Sequence, residues 1–189
     1  KLVNKGEYHL FLLDMHHIVS DGTSEKIFVD ELTSLYNGEE LEPLTHQYKD
    51  YSEWMHTRDL SSQAEYWKAQ FEDDIPLLDV PLDFMRPQIQ SNKGAVLKIA
   101  IDETLAEKIR KLTEKTSTTN YMVFLAALMV MLSKYTRQDD LVIGSPISAR
   151  THNDTEKMLG MFVNTLAMRG RPEDDKTFEQ FLGEIKNIC

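Results

Sequence analysis

Two features of this 189-residue chain predict an α/β layer fold. The first is Tyr8 to Val19, apolar on both alternating sets of positions, with Phe11, Leu13 and Met15 on one and Leu10, Leu12 and Ile18 on the other. A strand covered on both faces has that pattern, which makes this segment a central strand. The second is a set of apolar stripes at helical spacing: Phe28, Leu32 and Leu35 early in the chain, then Leu105, Ile109 and Leu112. Stripes of that width belong to helices laid against a core.

The strand runs into Met15-His16-His17-Ile18-Val19-Ser20-Asp21-Gly22-Thr23-Ser24, which reads as strand end, tight turn and helix start. Successive strand side chains point to opposite faces, so only one of His16 and His17 is expected to line a pocket. The other imidazole is structural. Gly22 is expected to take a positive φ and let the backbone approach a ligand closely, with Thr23 or Ser24 capping the helix that follows. A histidine with a carboxylate four residues on suits an imidazole whose orientation is fixed by its surroundings.

In order along the chain, Ser24 to Tyr36 is a helix stopped by Asn37-Gly38. Glu39 to Thr45 is a polar loop. Tyr48 to Phe71 is helical with a break near Asp59 to Ser62, and it carries two aromatic clusters, Tyr51 with Trp54 and Tyr66, Trp67 with Phe71. These are read as packing residues. Ile75 to Asn92, with Pro76, Pro81 and Pro87, is an extended crossing segment, because proline disfavours helix at the residue before it. Ala95 to Ile101 is expected as a strand, and Asp102 to Thr116 as an amphipathic helix with Thr104 and Glu107 in a capping box. Thr119 starts an apolar helix ending near Lys134 and Tyr135. Leu141 to Ile147 is a short buried strand, Ser148 to Glu156 a polar loop, Met158 to Met168 strand-like, and Thr177 to Cys189 a helix.

A formal charge of −10 argues against a nucleic-acid partner, since phosphate binding needs a basic face. The longest apolar run, Tyr121 to Leu132, falls short of the roughly 20 residues that cross a bilayer, so no membrane partner is expected. The single cysteine, Cys189, cannot form an intramolecular disulfide, in keeping with a reducing compartment and a cytoplasmic location. Adjacent histidines on a strand diverge, and no other His or Cys stands at a spacing that completes a metal site. No resident metal is expected.

Three of these stretches resemble one family, the condensation domains of nonribosomal peptide synthetases. Met15 to Ser24 resembles its active-site motif HHxxxDG, Tyr48-Lys49-Asp50-Tyr51-Ser52-Glu53-Trp54 its YxDYxxW motif, and Gly160-Met161-Phe162-Val163-Asn164-Thr165-Leu166-Ala167-Met168-Arg169 its GxFVNTxxxR motif. The Pro81 to Pro87 segment and Gly144-Ser145-Pro146 fall where related members carry similar loops. The resemblance implies a chloramphenicol-acetyltransferase-like α/β fold of two lobes arranged as a V. Residues 1–74 would then end the N-lobe, 75–94 would cross between lobes, and 95–189 would begin the C-lobe.

The implied activity is peptide-bond formation, in which an aminoacyl amine attacks an upstream acyl or peptidyl thioester. Both substrates would arrive on phosphopantetheine arms of carrier proteins, beside an adenylation domain, with no cofactor bound directly. Carried over by position, His17 faces the acceptor amine, His16 and Asp21 are scaffold around it, and Gly22 is the close-approach turn. Asn164 and Ser145 place substrate. The resemblance puts the arginine that holds the aspartate in a motif before Lys1 and a His-Gln-Asp motif after Cys189, so the chain is expected to be an internal piece of such a domain. Epimerisation relatives share HHxxxDG but commonly carry tryptophan where this chain has Glu25, and heterocyclisation relatives replace the histidines with aspartate. A stand-alone acyltransferase and a noncatalytic carrier-binding module are the remaining alternatives.

Overall fold

Capping sets most of the element boundaries in the computed structural model, which describes all 189 residues. The chain forms β1 (Leu2–Asn4), β2 (His9–Phe11), α1 (Gly22–Tyr36), α2 (Tyr48–Thr57), α3 (Ser61–Gln70), α4 (Glu103–Thr116), α5 (Asn120–Thr136), β3 (Leu141–Ser148), β4 (Val163–Gly170) and α6 (Phe178–Ile188). Short 3-10 turns lie at His17–Val19 and Asn153–Thr155. Antiparallel β1 and β2 make one two-stranded sheet, with Leu2 opposite Phe11 and Asn4 opposite His9, and β3 pairs with β4 in a second.

Two compact units result: Lys1–Tyr66 with Pro146–Leu166, and Trp67–Ser145 with Ala167–Cys189. They group the chain differently from the lobe boundaries that the resemblance implies. Residues 146–166 belong with the first unit because Arg150, Gly160 and Phe162 are bonded to Asp21 and Ser24.

In the second unit, α5 packs on α4 and α6. Its core is Val123, Leu125, Ala126 and Met129 of α5, Leu141 of β3, Met168 of β4, and Phe181, Leu182 and Ile185 of α6. The Thr119 hydroxyl caps α5 and the Thr177 hydroxyl caps α6, each accepting from the backbone N–H three residues on. Both helices start where the sequence placed them. A carboxylate sets the start of α4 instead: Asp102 accepts from the Leu105 N–H at 2.8 Å, in place of the expected Thr104 box.

Two predicted strands are not as expected. Only His9–Phe11 of the segment from Tyr8 to Val19 is strand, paired on one side with β1, and Leu10, Phe11, Leu12 and Leu13 are exposed. Ala95 to Ile101 has no strand at all, and Val96, Leu97 and Ile99 are exposed. An apolar run reports that a segment suits a covered site. Strand structure additionally requires a neighbour to take its backbone hydrogen bonds, and apart from β1 beside His9–Phe11 no strand pairs with either run. No helix or strand occurs over 71–102, in keeping with the extended reading of Ile75 to Asn92.

Arg169 ties the second unit together. Its Nε and Nη2 donate to the two carboxylate oxygens of Asp140 at 3.0 and 2.7 Å, while Nη1 donates to the Gln70 carbonyl at 2.8 Å. Nη2 also reaches the Asp74 carbonyl at 3.1 Å, and the guanidinium lies 5.6 Å from the Phe71 ring centre. Asp140 is correspondingly held below the usual carboxylate range, first by the Arg169 hydrogen bonds. Only a planar fork makes these bonds together, so Arg169→Lys, which keeps the charge, should cost about 1–3 kcal/mol in urea unfolding. An unchanged unfolding midpoint would show the fork to be dispensable.

Candidate active site

The Asp21 carboxylate begins α1. Its Oδ1 accepts from the Ser24 backbone N–H at 2.7 Å, which satisfies one of the unpaired donors at a helix start. The helix therefore opens at Gly22, two residues before the expected start, and neither Thr23 nor Ser24 is its cap. Gly22 has an ordinary negative-φ helical conformation rather than the expected positive φ, and a Cβ there would meet no atom within 4 Å.

The hydroxyl of Ser24, fully buried, accepts from Arg150 Nη2 at 2.9 Å and from the Gly160 N–H at 3.0 Å. Its single proton faces Asp21 Oδ1 and the Gly160 carbonyl, each at 2.8 Å. Two accepted bonds and one donated fill a hydroxyl's capacity. Asp21 is only 3% exposed. Beyond the Ser24 bonds, Oδ1 receives Arg150 Nη2 at 3.0 Å and Oδ2 receives the Phe162 N–H at 3.1 Å.

Arg150 was not singled out in the sequence, and the expected partner of Asp21 lay before Lys1. Within the chain the arginine that pairs with Asp21 is Arg150, from the loop after β3. Its side chain is 6% exposed, Nη1 donates to the carbonyls of Thr155 and of Met158 (2.8 Å for the latter), and the guanidinium stacks 4.0 Å from the Phe162 ring centre. Only Nε is without a partner. An arginine in a polar loop looks like a solvated charge. The one available clue was that a buried aspartate beside a helix start needs a cation.

Tyr48 closes the cluster. Its hydroxyl donates to the Met161 carbonyl at 2.9 Å, and its ring meets Phe162 edge-on with centroids 5.1 Å apart. A Cβ on Gly160 would sit 2.1 Å from Tyr48 Cδ2, so the backbone passes there only as glycine.

The two histidines leave the strand geometry expected of them. His16 caps the 3-10 turn, its Nδ1 accepting from the Ile18 N–H at 3.0 Å. His17 is exposed, and its Nδ1 lies 2.6 Å from the Ser20 carbonyl. A carbonyl only accepts, so that nitrogen carries the proton in the neutral ring and Nε2 keeps its lone pair. Hydrogen bonding to backbone groups, its own and that of Ser20, raises the His17 pKa above 6.5, and the Glu25 and Asp21 charges add to the shift.

The other candidates are not brought to His17 by any bond. Asn164 Oδ1 accepts from the neighbouring Thr165 N–H at 2.8 Å, which leaves its NH2 group available. Ser145, buried in the second unit, accepts from the Tyr121 hydroxyl at 2.6 Å.

Mixed helix and strand content around this histidine-aspartate segment defines an α/β domain of the chloramphenicol-acetyltransferase-like class. The chain belongs to the condensation-domain family, whose family model matches residues 1–189. It is 47% identical over 182 residues to tyrocidine synthase 3 of Brevibacillus parabrevis, covering 94% of this chain and 3% of that protein. It is 45% identical over 182 residues to bacitracin synthase 1 of Bacillus licheniformis, covering 94% of this chain and 4% of the relative. The fold is similar to the X-domain from teicoplanin biosynthesis, with a TM-score of 0.82 at 24% identity over 92% of this chain and 42% of that one. It is also similar to the first condensation domain of the calcium-dependent antibiotic synthetase in complex with a substrate analogue, with a TM-score of 0.71 at 20% identity over 92% of this chain and 42% of that one.

Burial disfavours the charged form of Asp21, but the Ser24, Arg150 and Phe162 donors outweigh it and lower the pKa from 3.8 to about 2. A lowered folded-state pKa contributes stability above the unfolded value that is lost as pH falls toward the folded one. Asp21 should therefore contribute about 2 kcal/mol at neutral pH, disappearing between pH 4 and about 2. Urea unfolding of wild type and Asp21→Asn across that range checks it: the gap between the two should close at the acid end, and a constant gap would contradict it.

Proposed function

We propose that the chain contributes the catalytic histidine segment of a domain that forms peptide bonds in nonribosomal peptide synthesis. The single observation that carries the reading, beside family membership, is the His17 ring, pinned through Nδ1 to the Ser20 carbonyl with Nε2 left to accept a proton. In this reading the amine of a carrier-bound aminoacyl group attacks the carbonyl carbon of an upstream acyl or peptidyl thioester. The C–N bond forms, the C–S bond breaks, His17 Nε2 takes the amine proton, and the departing thiolate is protonated in turn.

The chemistry asks little of the base. A free α-amine has a pKa of about 8 and a thiol about 8.5, so nucleophile and leaving group are both competent near neutrality. General-base help is worth roughly 10² to 10⁴-fold, whereas aligning two tethered reactants reaches effective molarities of about 10⁵ M or more. Alignment is therefore the larger contribution. His16, as cap of the 3-10 turn, and Asp21, with both oxygens committed to the protein, hold His17 in place rather than touching substrate. The open side at Gly22 leaves room for a substrate arm. The free NH2 of Asn164 and the proton of Ser145 supply donors for substrate carbonyls.

Upstream and downstream peptidyl carriers and an adjacent adenylation domain are the partners this reading requires. Phosphopantetheine enters only as the arm of those carriers, and the setting is cytoplasmic. Residues 1–74 are assigned to the N-lobe, 75–94 to the crossing and 95–189 to the C-lobe of the complete domain.

A single-turnover assay with two loaded carriers tests the function. His17→Ala should lower amide formation by roughly 10² to 10⁴-fold while carrier binding is unchanged. Because the base must be neutral, the wild-type rate should rise with pH through a step above 6.5, the direction in which His17 is shifted, and the variant should lack that step. An unchanged rate removes His17 from the mechanism.

A further inference from the structure

The first unit contains a cavity of about 350 Å³ that the histidine site does not use. Tyr51, Trp54 and Met158 form its apolar walls, and His46, Asp50, His152, Asp154 and Thr155 its polar ones. Its size lies within the range of roughly 300–1,000 Å³ typical of small-molecule sites.

The charged groups around it are unevenly satisfied. Asp154 Oδ2 lies 3.5 Å from His46 Nδ1 and 3.5 Å from His152 Nδ1, while its Oδ1 has no partner within the chain. Asp50 Oδ2 accepts from the Gln47 N–H at 2.8 Å in the α2 cap, and its Oδ1 is likewise open. Nearby cations are already engaged: Arg58 lies 4.7 Å over the Trp54 ring, and Lys157 pairs with Glu42 at 2.8 Å. The His46, His152 and Asp154 trio is not arranged to hold a metal ion. Two carboxylates with an open oxygen each thus stand beside two aromatic rings and a buried methionine. That combination suits a cationic head on an apolar stem.

We propose that this cavity binds a small organic cation, an ammonium carried on an aryl or alkyl stem, with Asp154 and Asp50 receiving the ammonium and Tyr51, Trp54 and Met158 the stem. The inference is independent of the peptide-bond reading. Its wall is nevertheless connected to the Asp21 cluster, because the carbonyls of Thr155 and Met158 that accept from Arg150 belong to cavity residues.

The test is isothermal titration of the full-length protein at pH 8 with three probes of one shape: 2-phenylethylammonium, neutral 2-phenylethanol and anionic 3-phenylpropionate. The ammonium should bind about tenfold more tightly than the alcohol, as one charge-assisted hydrogen bond provides, and the carboxylate should not bind measurably. Asp154→Asn should reduce the preference for the ammonium to about twofold or less, with melting temperature and circular dichroism confirming an intact fold. Should that variant unfold, Asp50→Asn carries the same comparison. Equal binding of ammonium and alcohol, or a charge preference that survives the substitution, would overturn the proposal.

Discussion

The first unit depends on an ion pair removed from water. Asp21 and Arg150 are both nearly inaccessible, and taking two charges out of solvent is costly unless their remaining hydrogen-bonding capacity is filled. Here it nearly is. The carboxylate receives backbone donors from Ser24 and Phe162, and the guanidinium reaches two carbonyls as well as the acid and the serine. The few apolar side chains buried in this unit, Met158 and Phe162, sit around the pair, Phe162 through its ring and its N–H and Met158 through its carbonyl. A polar network thus does what a hydrophobic core does in the second unit, and it prescribes geometry more narrowly because every bond has a direction.

That direction is passed to the functional end of the segment. Between the 3-10 turn that carries His17 and the helix that begins at Gly22 there are only Ser20 and Asp21, both buried. Anchoring Asp21 fixes where the Ser20 carbonyl points, and that carbonyl sets the tautomer of His17. The aspartate thereby acts on the imidazole through backbone, two bonds removed, with no contact between the two side chains. Ser24 plays a similar role by joining α1 to the Gly160 backbone.

Legibility in the sequence followed the range of the interaction. Helices α4, α5 and α6 were readable because their apolar patterns lie within a few residues, and α5 and α6 begin beside Thr119 and Thr177 as expected, whereas the start of α4 is set by Asp102 rather than the Thr104 box. The HHxxxDG, YxDYxxW and GxFVNTxxxR segments were readable as a resemblance. The reason they occur together was not, since it rests on Arg150 reaching Asp21 across 129 positions and Tyr48 reaching Met161 across 113. Strand assignments for Tyr8 to Val19 and Ala95 to Ile101 erred for a related reason: a strand is completed by its neighbours, and apolar composition describes only one partner of the pair. Gly22 was misread because glycine invited a turn, when the aspartate before it was already sufficient to start a helix.

The passage of the Gly160 backbone beneath the Tyr48 ring carries an implication for how such chains diverge. With 2.1 Å between a hypothetical methyl and an aromatic carbon, no side chain enters at position 160 while a ring of that size occupies position 48. Drift at one site is thus conditional on the other. Among chains built on this scaffold, position 48 is free to lose its ring while the glycine stays, but position 160 gains a side chain only afterwards, so the order of exchange is fixed.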